Sequence, residues 1–325
     1  VTALARILGR QHRFEIAAIA LFTVVLVLAT LIAGLRLREL EPTDACVDAW
    51  LGLGPDGAPC AIAAWLSLRN GEVGLLGLAF LAAPFLVGAV AGSVLLAREI
   101  ELGTAALGWA LQPRRARWIA PRIAAALLLV ITTMAAIAIA GRFLWSAADP
   151  AIDPALSFAR YGLDGPLLIV RGVTVFAIAV LAGAIVGRQL PTAIVMLGLT
   201  IVLWLAMQHP FPWGVPTTWV PLDAQMTDAR SGGRAELSDP DRIVGYGFQS
   251  PDGVVRSFTD AAASAPAGLD DDALDAWVRQ QATEVVGIVP GAEAGSVALR
   301  ESLALAGVAL AALAGSFLVI GRRRP

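Results

Sequence analysis

The sequence predicts an all-α integral membrane protein with six transmembrane helices, an N-terminal interfacial amphipathic helix and a small α+β extracytoplasmic domain before the last span. Three observations carry this reading. The 325 residues are 57 % hydrophobic and only 15 % charged, with a mean hydropathy of +0.72; a soluble domain sits nearer about 45–50 % apolar and about 25 % charged. Six apolar runs reach the roughly 20 residues that a bilayer-crossing helix needs. One polar segment, residues 209–298, is far longer than a connection requires and carries the punctuation of a folded domain.

The elements follow in chain order. Residues 1–14 place Leu4, Ile7 and Leu8 on one helical face and Arg6, Arg10 and Arg13 on the other, the pattern of a basic helix lying in the membrane interface; a basic tail without structure is the plainer reading. Spans are expected at about 15–34, 73–96, 119–141, 166–187, 190–208 and 299–320. The first is too long for the apolar core of a signal peptide, and no small-residue cleavage site follows it. Spans one to five fill residues 15–208, and the sixth lies in 299–325 with a basic tail.

Charge orients the chain. The side bearing both termini receives Arg98, Arg114, Arg115, Arg117, Arg122, Arg188 and Arg322–Arg324, besides the N-terminal arginines. The other side holds Glu39, Glu41, Asp44, Asp48, Asp56, Glu72 and the acids between Asp223 and Glu293. Both termini are therefore expected to be cytoplasmic, in a multi-pass membrane protein.

Three segments then lie outside. The loop 35–72 contains Cys46 and Cys60, which in an oxidising compartment are expected to form a disulfide; closing a loop of about 15 residues contributes roughly 3 kcal/mol. Residues 142–165 form a short middle loop. In the 209–298 domain, Arg242–Gln249 and Val254–Phe258 flank Ser-Pro-Asp-Gly and read as a β-hairpin. Asp270–Asp272 start a helix carrying Leu274, Trp277, Val278 and Gln281.

Several chemistries are excluded. All 24 basic residues are arginine, a habit of high-GC bacterial coding that also removes any lysine-bearing phosphate-binding loop and any catalytic lysine. His12 and His209 lie far from each other and from the cysteines, so no metal-ligand spacing exists. No Ser-His-Asp set can form in the outer domain, and nothing points to nucleic acid. The chain is read as a non-enzyme that binds no metal or cofactor of its own.

The stretch AREIELGTAALGWALQPRRARW, residues 97–118, interrupts two membrane-length runs with glutamates and arginines. Leu102–Leu111 can be helical until Pro113 stops it, and Gly103 permits a bend. A short helix along the membrane with carboxylates and an arginine cluster suits docking onto another protein. Phosphate headgroups could instead hold the arginines, and ordinary loop charge explains the stretch equally well.

Extended to AREIELGTAALGWALQPRRARWIAPRI, the stretch resembles the signature of ABC-2 type permeases, the membrane subunits of type V ABC transporters, and is most similar to actinobacterial members. That family carries R-E-x-E-x-G-T after span two and a basic, aromatic R-x-x-W at the start of span three; Arg98, Glu99, Glu101, Gly103, Thr104, Arg115 and Trp118 occupy those positions. The basic N-terminal helix, the cysteine-bearing first outer loop, the large outer segment before span six and the arginine-rich terminus extend the likeness. In the outer domain it reaches only Arg300-Glu301. The resemblance implies a coupling helix at 98–112, seated in a groove of a separate ATPase subunit, with Glu99 and Glu101 meeting basic groups of that partner. It also implies two ATPase copies that bind ATP and Mg2+, a second permease chain in a homo- or heterodimer, contact with membrane lipids, and residence in a bacterial plasma membrane. Export of a hydrophobic or amphipathic compound, such as an antibiotic, peptide or lipid, follows from the same resemblance.

Charges inside spans are costly and point to function, although arginines near an interface can reach out to it. Arg142 reads as such a case. Arg171, about five residues into span four, could pair with Glu301 at the start of span six, beside Arg300, as an outer gate or pathway element. The alternative class is a membrane sensor or scaffold whose outer domain binds a ligand; it shares the topology and needs no ATPase-docking helix. An ion-coupled carrier is disfavoured, because spans two to five hold no midplane carboxylate.

Overall fold

The computed structural model describes residues 13–40, 62–111, 115–149, 153, 156–208, 215, 217–222, 241–266 and 268–323. The N-terminal amphipathic helix, Cys46 and Cys60 lie outside the described residues.

All six expected spans are helices long and apolar enough to cross a membrane. They are α1 (Arg13–Glu39), α3 (Gly74–Glu101), α5 (Arg115–Ala148), α6 (Gly165–Val186), α7 (Gln189–Gln208) and α10 (Ala294–Arg322). Helix α1 buries Ile19, Leu26, Thr30, Ala33 and Leu37 toward α5 and leaves Leu21, Val24, Leu28, Ile32 and Leu35 exposed. Burying one stripe while exposing large aliphatics around the rest is the pattern a lipid-facing helix requires.

Several expected loops are partly helical. The apolar segment Ile62–Glu101 is continuous helix, made of α2 (Ile62–Leu68), a π-helical stretch Arg69–Val73 and α3. Its 40 residues span about 60 Å at 1.5 Å per residue, twice the hydrocarbon core of about 30 Å. The loop 35–72 is therefore helical at both ends, through Glu39 and from Ile62. Likewise α5 runs on through Arg142 to Ala148, shortening the middle loop, and α10 starts at Ala294 rather than 299. In each case helical hydrogen bonding outlasts the apolar run, because nothing in these ends breaks a helix.

The helical unit comprises residues 1–150, 162–211 and 298–325. At its centre α3 packs on α6 through Gly88-Ala-Val-Ala-Gly92, a pattern that lets backbones approach closely. A Cβ on Gly88 would lie 2.7 Å from the Gly172 carbonyl oxygen, and one on Gly92 would lie 2.6 Å from Ala179 Cβ. Gly172 in turn meets Met134 Cγ of α5. Phe80, Leu96, Met134, Ile137, Leu168 and Phe176 form the surrounding core.

The second unit joins residues 151–161 to 212–297, so the centre of the middle loop belongs to the same body as most of the long polar segment. Phe158 and Tyr161 pack with Val215, Val289 and Val297; a short polar stretch with two aromatics buries them only by joining a larger core. Strands β1 (Thr218–Pro221), β2 (Arg242–Gln249), β3 (Val255–Arg256) and β4 (Thr283–Val289) form an antiparallel sheet in the order β1-β4-β2-β3. The expected hairpin is β2–β3, with Phe248 opposite Arg256 and Gly253 at φ 80° in its turn. A short helix α8 (Phe258–Ala262) follows. The expected acidic helix is α9 (Asp271–Gln281), capped by Asp270, whose carboxylate accepts from the Ala273 N–H at 2.8 Å. Arg279 of α9 donates to Asp275 at 2.8 Å and to Glu284 of β4 at 2.9 Å. Strands β1 and β4 have no counterpart in the sequence reading.

Candidate functional site

The stretch between spans two and three is a helix, a turn and a second helix. Arg98, Glu99 and Glu101 form the last turn of α3, and α4 (Thr104–Leu111) is separate. The expected helix over 98–112 is thus broken at Gly103, whose φ of 72° is left-handed and cannot continue a helix. The Gly103 N–H donates to the Ile100 carbonyl at 3.2 Å, and Thr104 Oγ1 donates to the Glu99 carbonyl at 3.1 Å. Carbonyls that α3 leaves open are satisfied within the turn.

Each charged residue of the motif is engaged inside the chain. Arg98 donates to Glu15 of α1 at 3.1 Å. Glu99 is only 4 % exposed and accepts from Arg122 Nε at 3.2 Å, while its second oxygen has no partner among the described residues. Glu101 is exposed and accepts from the Gln189 N–H at 2.8 Å. A carboxylate there complements the positive N-terminal end of α7.

Aromatic rings carry the packing. Trp109 of α4 meets Trp118 of α5 edge to face, with centroids 6.0 Å apart. The Arg115 guanidinium lies 4.7 Å from the Trp109 centroid, and that of Arg122 lies 4.3 Å from Trp118. The order along this stack is guanidinium, indole, indole, guanidinium, and both cation–π pairs add to the apolar contact. Gly108 is small because a Cβ there would run into the Trp118 indole. Ala105 is buried beneath the turn, whereas Thr104, Ala106, Ala110 and Leu102 face outward, Leu102 being 66 % exposed.

Two arginines join further spans to this end of the bundle. Arg115 donates to the carbonyls of Ile320 at 2.8 Å, Gly321 at 3.3 Å and Arg323, at the C-terminus of α10. Arg323 donates to the Ala184 carbonyl at 2.7 Å in the last turn of α6, which closes on Gly187 in the left-handed conformation.

At the opposite end of α6, Arg171 is 3 % exposed and donates twice to one oxygen of Glu301, at 2.7 and 2.9 Å, and once to the Met207 carbonyl at 3.2 Å. The pair expected from the sequence is present and joins α6, α7 and α10. Gly162 lies against this guanidinium at φ 76°, with no room for a side chain. Arg142 and Arg300 are exposed on α5 and α10. A pair that sequence reasoning missed, Arg69 with Asp149 at 2.7 Å, ties the π-helical stretch ahead of α3 to the end of α5.

The motif residues therefore converge, and they do so as a mechanical lock whose donors and acceptors are mostly used up. No group of three or more His, Cys, Asp or Glu able to hold a metal occurs among the described residues. The contacts from Arg115 and Arg323 left no trace in the sequence, since their acceptors are backbone carbonyls. A family model described as ABC-2 membrane transporter related matches residues 16–211, more than half of the chain. No curated protein and no solved structure matches it.

Proposed function

The chain belongs to the ABC-2 membrane transporter related family, and from that premise we propose that it is the transmembrane subunit of an ATP-driven exporter, coupled to a separate ATPase. The observation that carries this is α4: a short helix between the second and third spans, fixed from behind by the Trp109–Trp118 stack and exposing Thr104, Ala106 and Ala110 next to Leu102 of the preceding turn. A rigid element with a small, smooth outer face can seat in a groove and pass on a push. Glu101, Arg117 and Arg188, all exposed, supply charge around it.

In this reading α4 is the coupling helix, the site end of the bundle and both termini are cytoplasmic, and the protein resides in a bacterial plasma membrane. The second compact unit is extracytoplasmic, and Cys46 and Cys60 form a disulfide in the same compartment. Nucleotide and Mg2+ bind two ATPase copies, and a second permease chain, the same or related, completes the pathway. The cargo is a hydrophobic or amphipathic compound such as an antibiotic, peptide or lipid. Burial of Glu99 narrows the docking expectation: the partner meets Glu101 and the exposed face of α4, while Glu99 holds that face in place through Arg122.

Purification of the full chain from its host in a gentle detergent, followed by mass spectrometry, tests this. A P-loop ATPase in stoichiometric amount, lost when Leu102→Glu and Ala106→Glu are combined, is the expected result. Absence of any ATPase overturns it.

A further inference from the structure

From the contacts of Arg115 and Arg323 we infer that these two residues relay displacement of α4 to spans four and six, a role that rests on the coupling reading above. The last carbonyls of a helix lack intrahelical donors, and a guanidinium offers five N–H groups in a fixed fork. Arg115 sits between such an end and α4: one face of its guanidinium covers the Trp109 ring at 4.7 Å, and its Nη1 donates to carbonyls at the C-terminus of α10. Arg323, the residue whose own carbonyl Arg115 holds, donates onward to Ala184 of α6 at 2.7 Å.

The chain of contact is therefore α4, Arg115, the end of α10, Arg323, the end of α6. Its last link is tightly built. Gly187 ends α6 in the left-handed conformation, and a Cβ at that position would collide with the Arg323 guanidinium. The far ends of the same two helices are fixed to each other by Arg171 and Glu301, and Thr174 Oγ1 donates to the Leu305 carbonyl at 3.1 Å below them. Two helices pinned at one end and held through arginine at the other respond to a movement of α4 by pivoting as a pair. Chains of packed side chains, hydrogen bonds and rigid helices are one means by which distant sites are coupled.

Amide hydrogen exchange on the full chain with its co-purified ATPase, in lipid nanodiscs, reads this with and without ATP plus vanadate. In the wild-type complex, trapping is expected to change exchange at 104–111, at 318–323 and at 184–190 together. In Arg323→Gln the change at 104–111 persists and that at 184–190 is lost; in Arg115→Gln both distal changes are lost. Retention of the 184–190 response in Arg323→Gln overturns the relay, as does a wild-type response confined to 104–111, which needs no variant at all. A wild-type chain that brings down no ATPase overturns the permease reading instead, so the two failures are distinct.

Discussion

Replacing Arg171 with leucine removes a guanidinium that, among the described residues, donates twice to Glu301 Oε1, at 2.7 and 2.9 Å, and once to the Met207 carbonyl, at 3.2 Å. Hydrogen bonds to charged groups contribute about 1.5–3 kcal/mol each. The larger effect is what remains: the Glu301 side chain is only 16 % exposed, so its carboxylate loses the guanidinium that offsets its burial. Breaking a buried pair from one side costs about 3–5 kcal/mol, and that is the expected loss for Arg171→Leu. Changing Glu301 to leucine as well removes the carboxylate whose burial Arg171 offset, so the double variant should be more stable than the sum of the single losses by about 0.5–3 kcal/mol. The assay is the thermal unfolding midpoint of the full chain in one detergent, for wild type, both single variants and the double variant. Strict additivity around that cycle would refute the claim that these residues act as a pair.

Three further outcomes follow from the packing. Gly92→Ala places a Cβ 2.6 Å from both Ala179 Cβ and the Phe176 carbonyl, forcing α3 and α6 apart; overpacking of this kind costs about 1–3 kcal/mol, read as a lowered unfolding midpoint. Gly103→Ala meets nothing within 4 Å, so its cost is conformational alone, about 1–2 kcal/mol; Gly103→Asn should be milder than Gly103→Val, as hydrogen exchange at 104–111 would report. Asp270→Ala removes the cap of α9 at a cost of about 1 kcal/mol and should speed amide exchange at 271–274 without altering the spans.

What could be read from sequence was what repeats or punctuates. Six spans were legible because an apolar run of membrane length has few other meanings, and the hairpin because Ser-Pro-Asp-Gly interrupts two β-prone runs. The pairing of Arg171 with Glu301 was legible because a buried charge needs a partner. Helix ends were not: α5 continues past its apolar run to Ala148 because hydrogen bonding, not hydropathy, decides where a helix stops. Strand β4 escaped notice since Val285, Val286 and Val289 are covered on both faces of the sheet, which erases the alternation by which strands are recognised. The inward turn of Glu99 was also hidden, as its partner Arg122 resembled one more positive charge near a membrane surface.

The strand order has a bearing on how the protein is made. Strand β4 lies between β1 and β2, and among the described residues it is the strand that pairs with β1. It is also the last of the four to leave the ribosome, directly ahead of α10. Until it emerges, β1 lacks the one strand that pairs with it among the described residues, and Phe158, already synthesised before spans four and five, lacks Val289 and Val297 of its core. The sheet is therefore completed late and from pieces translated far apart, and a nascent chain stalled before residue 283 would display the strand edges that β4 covers, and apolar surface, to the chaperones and proteases that police membrane insertion.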